Sequence, residues 1–172
     1  MDVFEAFEKR RTCRSFKMDA IPSEITRKLL RAGQRAPTGG NANTRRFILI
    51  DDQKKLRVIQ KISPGFLGLS PLAIAICTDL EVDQDDSISV FDAGAAAENI
   101  ALAATALGLG VGFVKSFPEN PVRKMLGIPS TVRLDILVTL GYRIEQHGAR
   151  RIVYSPRQPV FHNCYGTPLG VA

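Results

Sequence analysis

Asp92-Ala93-Gly94-Ala95-Ala96-Ala97-Glu98-Asn99-Ile100-Ala101-Leu102-Ala103-Ala104-Thr105-Ala106-Leu107-Gly108-Leu109-Gly110 is the stretch on which the fold turns. Eight of the fourteen residues from Ala93 to Ala106 are alanine, and the polar exceptions in the stretch are few: Asp92, Glu98, Asn99 and Thr105. The pattern predicts a helix from Ser87 to Leu107, roughly 30 Å long at about 1.5 Å per residue. Small residues nearly all round imply close approach by other helices and little exposure. A single domain can bury such a helix, but a subunit interface buries it more easily. Gly108 is expected to end it as a C-cap.

Working outward, Val111 to Val114 reads as a strand, Pro121 to Leu126 as a short helix and Val132 to Leu140 as another strand. Upstream, Leu72 to Cys77 is a continuous apolar run of the kind found in a buried central strand. Arg46 to Ile50 reads as a strand, followed by a charged helix opened by Asp51-Asp52 and running to Ile62, with Leu56 and Ile59 as its apolar side. A helix from Ser23 should stop near Gln34-Arg35, because Pro37 biases Ala36 away from helical dihedrals. Asp2 caps a first helix whose apolar positions Val3, Phe4 and Phe7 share a face. Beyond Arg143 the periodicity fades, and the tail with Pro156, Pro159 and Pro168 reads as an extended arm that must lie on something. The elements mix strands and helices without strict βαβ alternation, so the class is α+β. No glycine-rich turn follows the first strand, and the Gly108–Gly112 cluster sits at a helix end, where it cannot present a helix N-terminus to a pyrophosphate.

The 172 residues suit one domain with a real core. The charge is unevenly placed. The first fifty residues carry eleven Lys+Arg and five Asp+Glu, while the remainder carries twelve of each. The net +6 is therefore local, which argues for an anionic ligand and against a nucleic-acid surface. Cys13, Cys77 and Cys164 form no CxxC or CxxH pair, so neither a disulfide framework nor a zinc site is expected, and a reducing cytoplasm is the simplest setting. The acidic run Asp79, Glu81, Asp83, Asp85 and Asp86 lacks EF-hand spacing and reads as a solvated loop. The longest uncharged apolar run, residues 100–114, is too short and too glycine-broken for a membrane span, and no signal peptide is read at Met1.

The surplus concentrates in Lys9-Arg10-Arg11-Thr12-Cys13-Arg14-Ser15-Phe16-Lys17, where five of nine residues are basic. Guanidinium forks with interleaved hydroxyls suit a phosphate monoester; the alternative is a solvated basic turn. A second run, Ala36-Pro37-Thr38-Gly39-Gly40-Asn41, follows about twenty residues later. Its glycines suit positive φ or close backbone approach, and Asn41 either caps the turn or bonds a ligand.

Together these motifs resemble the nitroreductase family of FMN-dependent oxidoreductases, over residues 4 to about 165. Arg10-Arg11-Thr12-Cys13-Arg14-Ser15-Phe16 is similar to the family's Arg-Arg-Ser-x-Arg-x-Phe. Ala36-Pro37-Thr38-Gly39-Gly40-Asn41-Ala42-Asn43 resembles its Ala-Pro-Ser-x-x-Asn-x-Gln loop. The stretch from Asp92 to Gly110 resembles its central dimer helix with a Gly-Leu-Gly ending, and Leu140-Gly141-Tyr142 its Leu-Gly-Tyr.

The resemblance implies a nitroreductase-like α+β fold, a mixed and mainly antiparallel sheet flanked by helices, in an intertwined homodimer. It implies one domain over 1–172, with 143–172 as a C-terminal arm exchanged between subunits. FMN would be held by Arg10, Arg11, Thr12 and Arg14 at the phosphate and ribityl chain, and by Pro37, Thr38, Gly39, Asn41 and Asn43 beside the ring. Gly108, Leu109, Gly110 and the basic pair Arg150-Arg151 complete that set. NAD(P)H would be the electron donor to flavin N5, with an electron-poor small molecule (nitroaromatic, quinone or similar) as acceptor in ping-pong turnover. No side chain is expected to act as acid or base, no metal takes part, and nucleic acid and membrane are not partners. Thr44-Arg45 stand where Pro-Trp is frequent, so Arg45 either faces an anionic substrate or is a surface arginine; Phe66 is a second substrate-side candidate. The other readings are a flavin-fragmenting or dehalogenating specialist of the same fold, or a flavin-binding or basic-surface interaction protein without turnover.

Overall fold

The computed structural model describes residues 1–82, 86–144 and 160–168. Four strands, β1 (Arg45–Ile50), β2 (Leu72–Asp79), β3 (Leu109–Val114) and β4 (Val132–Tyr142), form one sheet in the order β1-β2-β4-β3. Every neighbouring pair is antiparallel; the mixed character anticipated from sequence survives only in a parallel bridge between Thr12 and Val111. The class is α+β, as expected.

Helices cover both faces, which explains why β2 is apolar from Leu72 to Cys77 rather than alternating. Its even residues Leu72, Ile74 and Ile76 meet α2 (Ser23–Gln34) and α4 (Asp86–Ala106) through Leu29, Ala93, Ala97, Ile100 and Ala104. Its odd residues Ala73, Ala75 and Cys77 meet α3 (Gln53–Ile62) and α5 (Glu119–Leu126) through Leu56, Ile59 and Val122. The Cys77 thiol is pushed up to about 12 by burial and, secondarily, by the charge of Asp135. Asp135 sits where the β2–β4 register shifts and is held there by Thr78 Oγ1 and Arg133 Nε, each donating at 2.6 Å.

Local rules account for most boundaries. Asp52 caps α3 by accepting from Lys54 N and Lys55 N, Gly127 (φ 68°) ends α5, and Gly108 (φ 79°) follows α4 as expected. The long helix starts one residue before its expected N-terminus and stops one before its expected end.

Burial corrects two expectations. In α1 (Val3–Lys9) only Ala6 is buried, and Phe4 is 75% exposed on the face shared with Val3 and Phe7. Along α4, Ser89, Ala93, Ala96, Ile100 and Ala104 face the core, but Ile88, Val90 and Phe91 are exposed, Phe91 at 68%. From Ala95 to Thr105 no residue of α4 is exposed, so its uncovered large apolar side chains are confined to the first turns.

The expected arm, 143–172, lies for the most part outside the described residues, as do Arg150, Arg151 and His147. Among the described residues no helix is long and apolar enough to cross a membrane, and no cluster of His, Cys, Asp and Glu has the makings of a metal site.

Candidate functional site

The basic segment is strapped along the edge of the sheet. Cys13 N donates to Val111 O (2.7 Å) and Lys17 N to Tyr142 O (2.8 Å), with bridges Thr12–Val111 and Phe16–Arg143 at either end. Glycines make this approach possible. A Cβ on Gly112 would stand 2.5 Å from Cys13 O and 2.6 Å from Thr139 Oγ1, and one on Gly141 would meet Phe16 Cβ at 2.6 Å. Gly110 lies beneath Cys13 Sγ and the stem of Arg143. The Gly-Leu-Gly run thus floors the basic segment, with Leu109 fully buried in the core. Gly108, Leu109 and Gly110 support the site from below.

Seated this way, Arg10, Arg11, Thr12 and Arg14 border, with Phe7 and Glu98, a cavity of about 570 Å³. Arg10 Nε pairs with Glu98 Oε1 on α4 at 2.9 Å, and Arg11 Nη1 donates to Glu8 O and Arg10 O at the end of α1, both at 2.7 Å. A partly exposed pair such as Arg10–Glu98 is worth only about 0–1 kcal/mol, so a dianionic ligand can displace it. Arg143, which the sequence reading passed over, runs its stem across Gly110 beside Cys13. Among the described residues its buried Nε has no hydrogen-bond acceptor, leaving a cationic donor unsatisfied beside this cluster. The signal in the sequence was its position directly after Leu140-Gly141-Tyr142.

The second region is the loop between α2 and β1. Thr38 is extended, Gly39–Asn41 make one 3₁₀ turn, and Gly40 (φ 58°) and Asn41 (φ 56°) both enter the left-handed region. Gly39 has no room for a side chain because Ile88 of α4 occupies that space. Both glycine roles anticipated from sequence are therefore present, one at each residue. Asp92, only 1% exposed, accepts from Gly39 N with both carboxylate oxygens, at 3.0 and 3.1 Å. The loop borders a cavity of about 330 Å³ lined by Gln34, Thr38, Asn41, Asn43, Arg45 and Phe47; Pro37 is exposed beside it.

Arg45 is half-buried in that wall. Its Nη2 donates to Ala36 O (2.5 Å) and its Nη1 to Asp92 O (3.4 Å). Burial lowers its pKa and the charge of Asp92 works against that. It is thus neither a free surface arginine nor wholly available to a substrate. Phe66 is 3% exposed and packs in the core with Ile59 and Val114. Its ring lies under the basic segment, beside a space of only about 20 Å³, and borders neither open cavity.

Both regions lean on α4, through Asp92 and Glu98, six residues or about 9 Å apart along the helix. The arrangement is a cationic, hydroxyl-bearing cleft for an anion and a polar cleft with a rigid glycine turn.

The model of the nitroreductase family matches residues 7–81 and 66–142 of this chain. An inferred NADH dehydrogenase/NAD(P)H nitroreductase of the archaeon Methanothermobacter thermautotrophicus is 30% identical over 156 residues, covering 87% of this chain and 82% of the relative. Among solved structures, an FMN-dependent nitroreductase of Clostridium difficile R20291 superposes with a TM-score of 0.83 at 28% identity, over 94% of this chain and 99% of that one. A nitroreductase family protein of Clostridium novyi NT superposes at 0.78, also at 28% identity, over 84% and 87%.

Proposed function

The chain belongs to the nitroreductase family, and from that premise we propose that it is an FMN-dependent NAD(P)H oxidoreductase acting on electron-poor small molecules such as nitroaromatics or quinones. The observation that carries the flavin reading is the basic segment on its glycine floor, together with the unsatisfied Nε of Arg143. A phosphate monoester supplies the acceptors that this set lacks. Arg10, Arg14, Thr12 and Arg143 hold the phosphate in this reading, while Arg11 contributes charge from its position at the end of α1. Thr38, Gly39, Asn41 and Asn43 border the ring, and Arg45 adds positive potential to the substrate side. Bound FMN would supply the redox chemistry between NAD(P)H and the acceptor. In this reading the protein binds, orients and sets electrostatics, and the cofactor rather than a side chain carries the chemistry.

The working form is a homodimer. The exposed apolar side chains of α1 (Val3, Phe4, Phe7) and α4 (Val90, Phe91) suit burial against a second copy. They border the basic cleft through Phe7, so a second copy seated there would help to close it. An arm exchanged from residue 143 onward belongs to the same reading, and the setting is cytoplasmic.

Purified protein supplied with FMN should turn yellow, bleach with NADH or NADPH, and recover its colour when a quinone is added. A protein that stays colourless defeats the flavin reading; one that colours but does not bleach is a flavin binder without turnover. Light scattering should give a mass twice that of the 18.8 kDa chain.

A further inference from the structure

We propose that Asp92 is a positioning residue for the cofactor loop: from the first half of α4 it captures the Gly39 N–H and sets the orientation in which residues 36–43 meet the flavin. The inference rests on the FMN reading and adds a residue to it that touches no ligand.

A carboxylate with 1% exposure is costly to bury unless its oxygens are used. Among the described residues the Asp92 carboxylate has one hydrogen-bonded partner, the Gly39 N–H, shared between both oxygens across 53 residues of sequence. Its own carbonyl accepts from Arg45, whose other arm reaches Ala36 O. The loop is therefore tied to one helical residue at two places, Gly39 at its turn and Arg45 at its exit, and Arg45 in turn holds Ala36 at the loop's start. Ile88, one helical turn earlier, closes the remaining direction by occupying the space where Gly39 would carry a side chain. A charge-assisted bond to a buried carboxylate is stronger than a neutral one. It fixes the peptide that precedes the two left-handed residues, Gly40 and Asn41, so the direction of the Asn41 side chain follows from it. A plain stabilising role for Asp92 would have no need of this particular N–H.

The test compares Asp92→Ala with Asp92→Asn, reading amide hydrogen exchange at Gly39 in the apoprotein and FMN affinity by fluorescence titration. Asp92→Ala should expose the Gly39 amide to exchange and weaken FMN binding about tenfold or more, with dimer mass unchanged. Asp92→Asn keeps an oxygen for the Gly39 N–H, so it should preserve protection and bind FMN within about threefold of wild type, since the bond and not the net charge sets the loop. If Asp92→Ala fails to fold, Asp92→Ser, too short to reach Gly39, is read in the same way. Wild-type Gly39 protection together with wild-type FMN affinity in the Ala or Ser variant overturns the proposal. If wild-type protein itself fails to bind FMN, the flavin reading falls, and Gly39 exchange in the apoprotein still decides whether Asp92 holds the loop.

Discussion

The basic segment and the glycine loop are two halves of one candidate site, built in opposite ways. Residues 10–17 carry their function on exposed side chains and owe their position to backbone: two main-chain hydrogen bonds and a glycine floor. Residues 36–43 carry no charge of their own and owe their position to side chains behind them, Asp92, Arg45 and Ile88. Affinity for an anion can be built on the surface, where charges are cheap to keep solvated. Orientation has to be built from the interior, where a bond to a buried group resists exchange with water.

The contrast can be broken at the floor first. Gly112→Val drives a side chain into Cys13 O and Thr139 Oγ1, and neither a main-chain carbonyl nor a buried strand residue can step aside. It should cost about 3 kcal/mol, seen as a lowered urea midpoint, and should abolish FMN binding. Wild-type stability there would show that the segment is not seated by the glycines.

Removing charge without disturbing the floor is the complementary change. Arg10→Ala with Arg14→Ala should weaken FMN binding by about two orders of magnitude through lost charge-assisted bonds, while melting temperature and dimer mass hold. Unchanged flavin affinity would return the cluster to a solvated basic turn.

The sheet beneath both regions offers a pH test. Burial, with the charge of Asp135, pushes the Cys77 thiol up to about 12 from an ordinary value of 9.0. A raised folded pKa contributes stability that is complete below pH 9 and is lost as pH rises through about 12. Wild type should therefore lose up to about 1.4 kcal/mol per pH unit more than Cys77→Ala across that window. Parallel alkaline limbs in the two proteins would contradict it.

The smallest effect is expected at the loop. Gly39→Ala meets the Cγ2 methyl of Ile88, which clears only if that β-branched side chain changes rotamer, and should cost about 1 kcal/mol. Pairing it with Ile88→Ala should recover part of that loss; a double variant worse than the sum of the singles would place the constraint elsewhere.

These differences also mark what could be read in advance. The basic segment was legible because charge density needs no partner to be noticed, and the surplus in the first fifty residues singled it out. Gly39 and Gly40 were legible as unusual, since side-chain-free residues in succession have few uses. Asp92 was visible only as a polar exception in an alanine helix; that it reaches Gly39 depends on α4 crossing behind the loop. Phe66 shows the reverse failure. It is named as a substrate-side candidate, but its ring instead lies beneath Cys13 and packs in the core. Arg143 was missed because its role depends on Gly110 lying one strand away.

By itself the sequence determined the element order, the two-sided burial of β2, the caps at Asp2, Asp52 and Gly108, the local positive charge and, through its ordered motifs, the family. These follow from periodicity, backbone preference and composition, which act over a few residues. Tertiary structure alone decided that glycines of β3 and β4 receive the basic segment, that one buried carboxylate holds a loop 53 residues away, and that α1 and the first turns of α4 leave apolar side chains exposed. Each of those depends on which surfaces meet, and a linear pattern carries no record of the partner until the sheet and helices have closed on one another.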